Sequence, residues 1–187
     1  EARAAFPCWD EPEFKIPWQL TLTVPSDQMA VSNTPIERET ATGKDRKTVV
    51  FRRTRPLPSY LIAIAVGAFE TVPIRGMSVP GRVVCVQGAS ALAAEAARAT
   101  PPILAALERY FGRPYPYEKL DLIAAPEFLY GAMENAGAVV FADRRLLLDP
   151  RGAVAADHRA MRSVVAHELA HMWFGDLVTM RWWDDLW

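Results

Sequence analysis

Two of the chain's three histidines, His167 and His171, stand four residues apart with Glu168 between them. Four residues is just over one helical turn, so on a helix both imidazoles leave one face and can reach a single metal ion. Neutral imidazole nitrogens suit zinc, and a catalytic zinc takes three protein ligands and keeps a fourth position for water. Glu168 is rotated about 100° round the helix from His167, so it lies near such an ion without being an ideal third ligand. A carboxylate there can take a proton from metal-bound water and later deliver it to a leaving amine. The rival reading is an amphipathic helix with two incidental histidines, packed through Val164, Val165 and Met172. The apolar flanks, Val164-Val165-Ala166 and Met172-Trp173-Phe174, predict a buried helix, in which histidines without a partner would be costly. This helix is expected from an N-cap at about Asp157 to a stop at Gly175. His158 lacks such company and reads as a surface residue.

The rest of the chain predicts β structure first and mixed structure after it. From Lys15 to Val24, Trp18, Leu20, Leu22 and Val24 alternate with polar residues, the period of a half-buried strand. Thr42-Gly43-Lys44-Asp45 reads as a turn between short strands. Tyr60 to Phe69 is an apolar run that predicts a strand buried on both faces. Pro73, Gly76, Pro80 and Gly81 punctuate a linker, so a division is expected with residues 1–75 on one side and 76–187 on the other. Beyond it, Arg82–Gln87, Leu120–Ala125 and Ala136–Phe141 read as strands. Ala89–Phe111 reads as a helix that Pro101 and Pro102 should kink or split.

Half of the 187 residues are apolar and the net charge is −1, so the chain carries no basic field for nucleic acid or anionic lipid. No apolar run approaches the length of a membrane span. Cys8 and Cys85 are far apart and form no disulfide framework, which makes a reducing, cytoplasmic setting the expectation. The arginine clusters at Arg52, Arg53, Arg55 and at Arg144, Arg145 read as solvated faces. Glu1 to Pro7 show no signal peptide.

Upstream of the histidines lies Gly131-Ala132-Met133-Glu134-Asn135, by itself no more than a turn between strands. With the histidine pair it resembles the aminopeptidase N family of zinc peptidases, whose exopeptidase motif has this run and whose zinc motif follows on a helix. The resemblance covers nearly the whole chain. Phe6-Pro7-Cys8-Trp9-Asp10-Glu11-Pro12, Tyr60-Leu61-Ile62-Ala63 and Val66-Gly67-Ala68-Phe69-Glu70 resemble stretches of that family's amino-terminal domain. Pro114 to Asp121, Trp173 to Thr179 and Trp182 to Trp187 resemble its catalytic domain.

The resemblance implies an α+β fold: the end of an all-β amino-terminal domain, then the first part of a thermolysin-like catalytic domain. It implies an aminopeptidase acting on peptides with a free amino terminus, with one zinc ion per full-length protein. His167 and His171 would bind the zinc, and Glu168 would be the general base. Glu134 would hold the substrate's α-amino group by a charge-assisted hydrogen bond. Gly131 and Ala132 would run beside the substrate and bond it as an added strand.

In the family the third zinc ligand is a glutamate in a Trp-Leu-Asn-Glu run, which would fall just past Trp187. The sequence therefore reads as a piece cut before that ligand, with weak metal binding and very low activity of its own expected. Asp176, Asp184 and Asp185 are the nearby carboxylates after His171, and second-shell support or surface charge is their expected role. Trp182, Trp183 and Trp187 could line a cleft, though aromatics so close together more often form core. Three other functions stay open. An endopeptidase would have no use for Glu134. In a related peptide-cleaving epoxide hydrolase, glycine would be expected in place of Ala132. A non-catalytic scaffold would have no reason to keep His167, Glu168, His171 and Glu134 together.

Overall fold

The computed structural model describes residues 2–185. Glu1, Leu186 and Trp187, including the expected place of Trp187 in an aromatic core, lie outside the described residues. The fold is mixed, with sheets first and then helices packed on a further sheet.

The first part contains strands β1 (Thr21–Pro25), β2 (Met29–Ser32), β3 (Ile36–Ala41), β4 (Arg46–Phe51) and β5 (Ile64–Gly67). They form a three-stranded antiparallel sheet in the order β1-β4-β3 and a two-stranded pair, β2 with β5. The turn expected at 42–45 connects β3 to β4. The strand expected over 15–24 is regular only from Thr21. Before it the chain is tied across by other means: the Trp18 amide donates to Thr54 Oγ1 at 2.9 Å and its indole to the Leu57 carbonyl at 2.9 Å. Nor is 60–69 one strand buried on both faces. Ser59–Leu61 is a 3-10 turn following Pro58, and β5 leaves Ile64 and Val66 exposed while Ala63 and Ala65 pack inward. A strand in a two-stranded pair has one face to bury, so its side chains alternate.

The second sheet runs in the order β6-β7-β8-β10-β9, with β6 (Phe69–Ile74), β7 (Gly81–Val86), β8 (Leu120–Ala125), β9 (Ala132–Met133) and β10 (Ala138–Ala142). Strands β7, β8 and β10 are parallel, and β6 and β9 flank them antiparallel. Residues 75–80, where the division was expected, connect β6 to β7, so β6 is an edge of this second sheet. Helices α1 (Ala94–Phe111), α2 (Asp143–Leu146) and α3 (Ala155–His171) complete the chain.

Burial of this sheet on both faces explains its apolar sequence. Leu120, Leu122 and Ala124 of β8 face a core shared with Leu104 of α1 and Met161, Val165 and Leu169 of α3. Ile123 faces the other way, onto Val31 and Ala63 beside the β2–β5 pair. Asp121 is the polar exception in β8. It accepts from Arg82 at 3.0 and 3.2 Å and from Lys119 Nζ at 2.9 Å, so the buried carboxylate is paired twice.

The prolines of α1 do not split it, and the helix runs unbroken through both. Its buried residues, Ala96, Ala99, Thr100 and Leu104, lie on one face, while Pro102 is exposed and Pro101 half-buried. The Ala97 and Arg98 carbonyls that lose their partners lie off that buried face, which limits the cost of the missing donors. Helix α3 begins earlier than expected. Asp157 sits in its first turn and accepts from the Val154 amide at 2.9 Å, so it caps from inside the helix. The helix ends at His171, four residues short of Gly175.

Candidate active site

Helix α3 buries Met161, Val165, Glu168, Leu169 and His171, whereas His167 on the same helix is exposed. The helix is thus amphipathic rather than buried all round, and the metal motif straddles its edge. Nε2 of His167 and Nε2 of His171 are 3.2 Å apart. Nδ1 of His171 donates to the Phe174 carbonyl at 3.2 Å, which leaves the Nε2 lone pair to face outward from the ring. Burial is the main influence on His171 and lowers its imidazole from the ordinary histidine value, which favours the neutral form, against the opposing pull of Glu134.

The turn after α3 carries that carbonyl. Gly175 has φ +138°, and a methyl on it would lie 3.0 Å from Nδ1 of His171. Glycine is needed here both by the backbone and by the ring beside it. From the far end of the chain, Lys15 Nζ donates to the carbonyls of Asp176 and Leu177 at 2.8 and 3.1 Å and ties the turn down.

Across from the helix, β9 brings up the second motif. Met133 pairs with Val140 and Ala132 with Phe141, while the other side of β9 is the outer edge of the sheet. Glu134 is the first residue beyond β9. One ligand atom each from Glu134, Glu168 and His171 lie within 4.8 Å of one another. The two motifs therefore meet, through Glu134 and Glu168 that stand 34 residues apart by number. Burial, and after it the charge of Glu134, pushes the carboxyl of Glu168 up to about 8. Gly131 is exposed with open space around it, and its carbonyl accepts from the Ala142 amide at 3.0 Å.

Other expectations need correction. Asp176 is fully buried rather than a surface charge, and neither carboxylate oxygen has a hydrogen-bond partner among the described residues. Burial, with Glu134 second, raises its carboxyl well above the usual range, against the opposing pull of Lys15. Asp184 and Asp185, by contrast, are exposed, in keeping with the expected surface charge. Trp182 and Trp183 are not core: they are 50% and 38% exposed, and Trp183 stands edge-on to Tyr60 at 5.2 Å. His158 is half-buried, with Nδ1 3.2 Å from the Glu95 carboxylate.

Sequence reading gave no sign of Tyr60, of Lys15, or of Asn33 as contributors; Nδ2 of Asn33 donates to the Ala136 carbonyl at 2.9 Å beside the second motif. Tyr60 packs against the cluster of Leu57, Leu61 and Ala136, and burial, then Asp176 and Glu134, raise its phenol above the usual range. No local pattern marks these three, because each acts on residues far away in sequence.

Comparison with known proteins adds an independent line. The Peptidase family M1 domain matches residues 95–187, and the Peptidase M1 N-terminal domain matches residues 1–61. Over the whole chain, identity is 44% to aminopeptidase M1-A of Oryza sativa subsp. japonica and 40% to glutamyl aminopeptidase of Rattus norvegicus. It is 39% to aminopeptidase N of Acetobacter pasteurianus. The chain spans 21%, 20% and 53% of the length of these three relatives, respectively.

Proposed function

The chain belongs to peptidase family M1, and on that premise we propose that the full-length protein is a zinc-dependent aminopeptidase that releases amino-terminal residues from peptides. The observation that carries the proposal is the meeting of Glu134 with Glu168 and His171 within 4.8 Å, beside the His167–His171 pair. In this reading residues 1–75 end the β-rich amino-terminal domain and residues 76–187 begin the catalytic one.

The donor set fits zinc. Two Zn–N bonds of about 2.0–2.1 Å at a tetrahedral angle set their nitrogens roughly 3.3 Å apart, and the Nε2 atoms here are 3.2 Å apart. His167 and His171 would hold the ion through these atoms, with the Phe174 carbonyl orienting the second ring. Bound zinc supplies a Lewis acid that acidifies water and polarises a scissile carbonyl.

Glu168 would take a proton from the attacking water onto a carboxylate oxygen and return it to the leaving amine nitrogen. Without a cation beside it, burial, and after it the charge of Glu134, favours the protonated carboxyl, and a cation held there would favour the carboxylate that accepts the proton. Glu134 would accept hydrogen bonds from the substrate's α-ammonium, which limits cleavage to the first peptide bond. The free edge of β9 at Gly131 and Ala132 would take the substrate backbone as an added strand.

The test compares hydrolysis of leucine amide and its N-acetyl form by the full-length protein, with and without a chelator. Cleavage of the free amine alone, stopped by chelation, is expected. Equal cleavage of the acetylated form would remove Glu134 from its role as amine anchor. No cleavage of either would return the scaffold reading.

A further inference from the structure

We propose that Asn33 is a positioning residue for Glu134: its carboxamide, from the amino-terminal β structure, fixes the turn that sets where the amine-binding carboxylate stands. The inference rests on the reading of Glu134 given above.

Asn33 follows β2 directly and is 4% exposed. Oδ1 accepts from the Ala63 amide at 2.9 Å, and Nδ2 donates to the Leu61 carbonyl at 2.8 Å and the Ala136 carbonyl at 2.9 Å. Both amide hydrogens are thus committed, one to the β structure around Asn33 and one to a residue 103 positions away. Ala136 lies two residues beyond Glu134, inside a turn closed by the Ala138 amide on the Asn135 carbonyl at 2.9 Å.

That turn is gripped from every side. Gly137, its third residue, has φ +73°, and a methyl there would run into the backbone carbonyl of Asn33. Its own carbonyl accepts from Lys119 Nζ at 2.7 Å and from the Asp121 amide at 3.1 Å. On the near side, Met133 is held by pairing with Val140. Glu134 therefore hangs between two anchored points. Leu57 and Leu61 of the first part of the chain pack with Ala136, and the Asn33–Ala136 bond adds the directional side-chain contact that sets one of these points. Without it, the buried Ala136 and Leu61 carbonyls lose that donor, and the turn can shift relative to α3.

Asn33→Asp keeps size and the Ala63 acceptor but removes both donors. Gly137→Ala disturbs the same turn from its other contact. In the full-length protein both variants should raise KM for leucine amide about tenfold, the loss expected when the displaced Glu134 carboxylate weakens its charge-assisted hydrogen bond to the substrate amine. They should leave kcat within about twofold and zinc content unchanged. Combined with Glu134→Gln, Asn33→Asp should add little further loss, because it acts through that carboxylate. An equal factor in both backgrounds, or an unchanged KM in the folded variants, would overturn the proposal. So would failure of both variants to fold, since the contact would then serve the fold alone. If Glu134→Gln itself leaves the preference for free amines intact, the functional reading fails instead, and the cycle separates the two cases.

Discussion

Nε2 of His167 lies 3.2 Å from Nε2 of His171, although one ring is exposed and the other buried. The exposed ring can be reached, while the buried one is held by the Phe174 carbonyl. Replacing His171 by alanine should therefore abolish zinc retention in the full-length protein and reduce activity to the level left by a chelator. Metal content after gel filtration, measured beside the rate, checks this.

Gly175→Ala attacks the same ligand indirectly. The new methyl would press on the His171 ring, and φ +138° disfavours any side chain. Zinc affinity should fall on the order of 10- to 100-fold, as for other disturbed outer-shell contacts. Competition with a chromophoric chelator would read it, and unchanged affinity would show that the turn yields.

Glu168→Gln keeps the shape and burial of the side chain but cannot accept the proton. The expected loss in kcat is about 10²- to 10⁴-fold, with zinc content unchanged. Retention of full kcat would remove Glu168 from proton transfer.

Asp121→Ala tests the sheet that carries the site. It leaves Lys119, whose Nζ is buried and whose ammonium burial already disfavours, without its carboxylate. Breaking a buried pair in this way costs about 3–5 kcal/mol. Urea unfolding would measure the loss, and a change below about 1 kcal/mol would show that Lys119 deprotonates or finds water.

Glu95 links the two large helices and gives a pH-dependent term. Burial opposes its ionisation, but Arg162, Arg98 and His158 outweigh this and hold the carboxyl down at about 2. Because the folded value lies below the unfolded one, the contribution is present above about pH 4.5 and lost as pH falls through about 2. The arginine partners are 66% and 46% exposed, so screening reduces the contribution to about 1 kcal/mol. Glu95→Gln should be less stable than wild type at pH 7 by that amount, with the gap closing towards pH 2. A gap independent of pH would assign the effect to packing.

Much of this molecule is written locally. The four-residue spacing of His167 and His171 determines that both rings share a helix face, because helical geometry leaves no other arrangement. The stretches Arg82–Gln87, Leu120–Ala125 and Ala136–Phe141 likewise read as strands, and β7, β8 and β10 lie there. Local signals failed where a neighbour decided the outcome. Pro101 and Pro102 predict a break in α1, yet packing of Ala96, Ala99 and Leu104 on the sheet holds the helix through them. Tyr60–Phe69 reads as one buried strand, but β5 pairs edge to edge with β2 and packs only its inward face, through Ala65, on the cluster of Val84, Ile123 and Ala138.

What the sequence alone determined is the chemistry on offer: two imidazoles on one helix face, a carboxylate between them, and a second carboxylate in a small-residue run. Only the tertiary structure decided that Glu134 meets Glu168 and His171, that Asp176 is buried, and that Asn33 and Lys15 brace the turns on either side. The reason is physical. Helical and strand periodicity act over a few residues, whereas these contacts close loops of 34 to 161 residues and form only once the sheet has brought distant segments together.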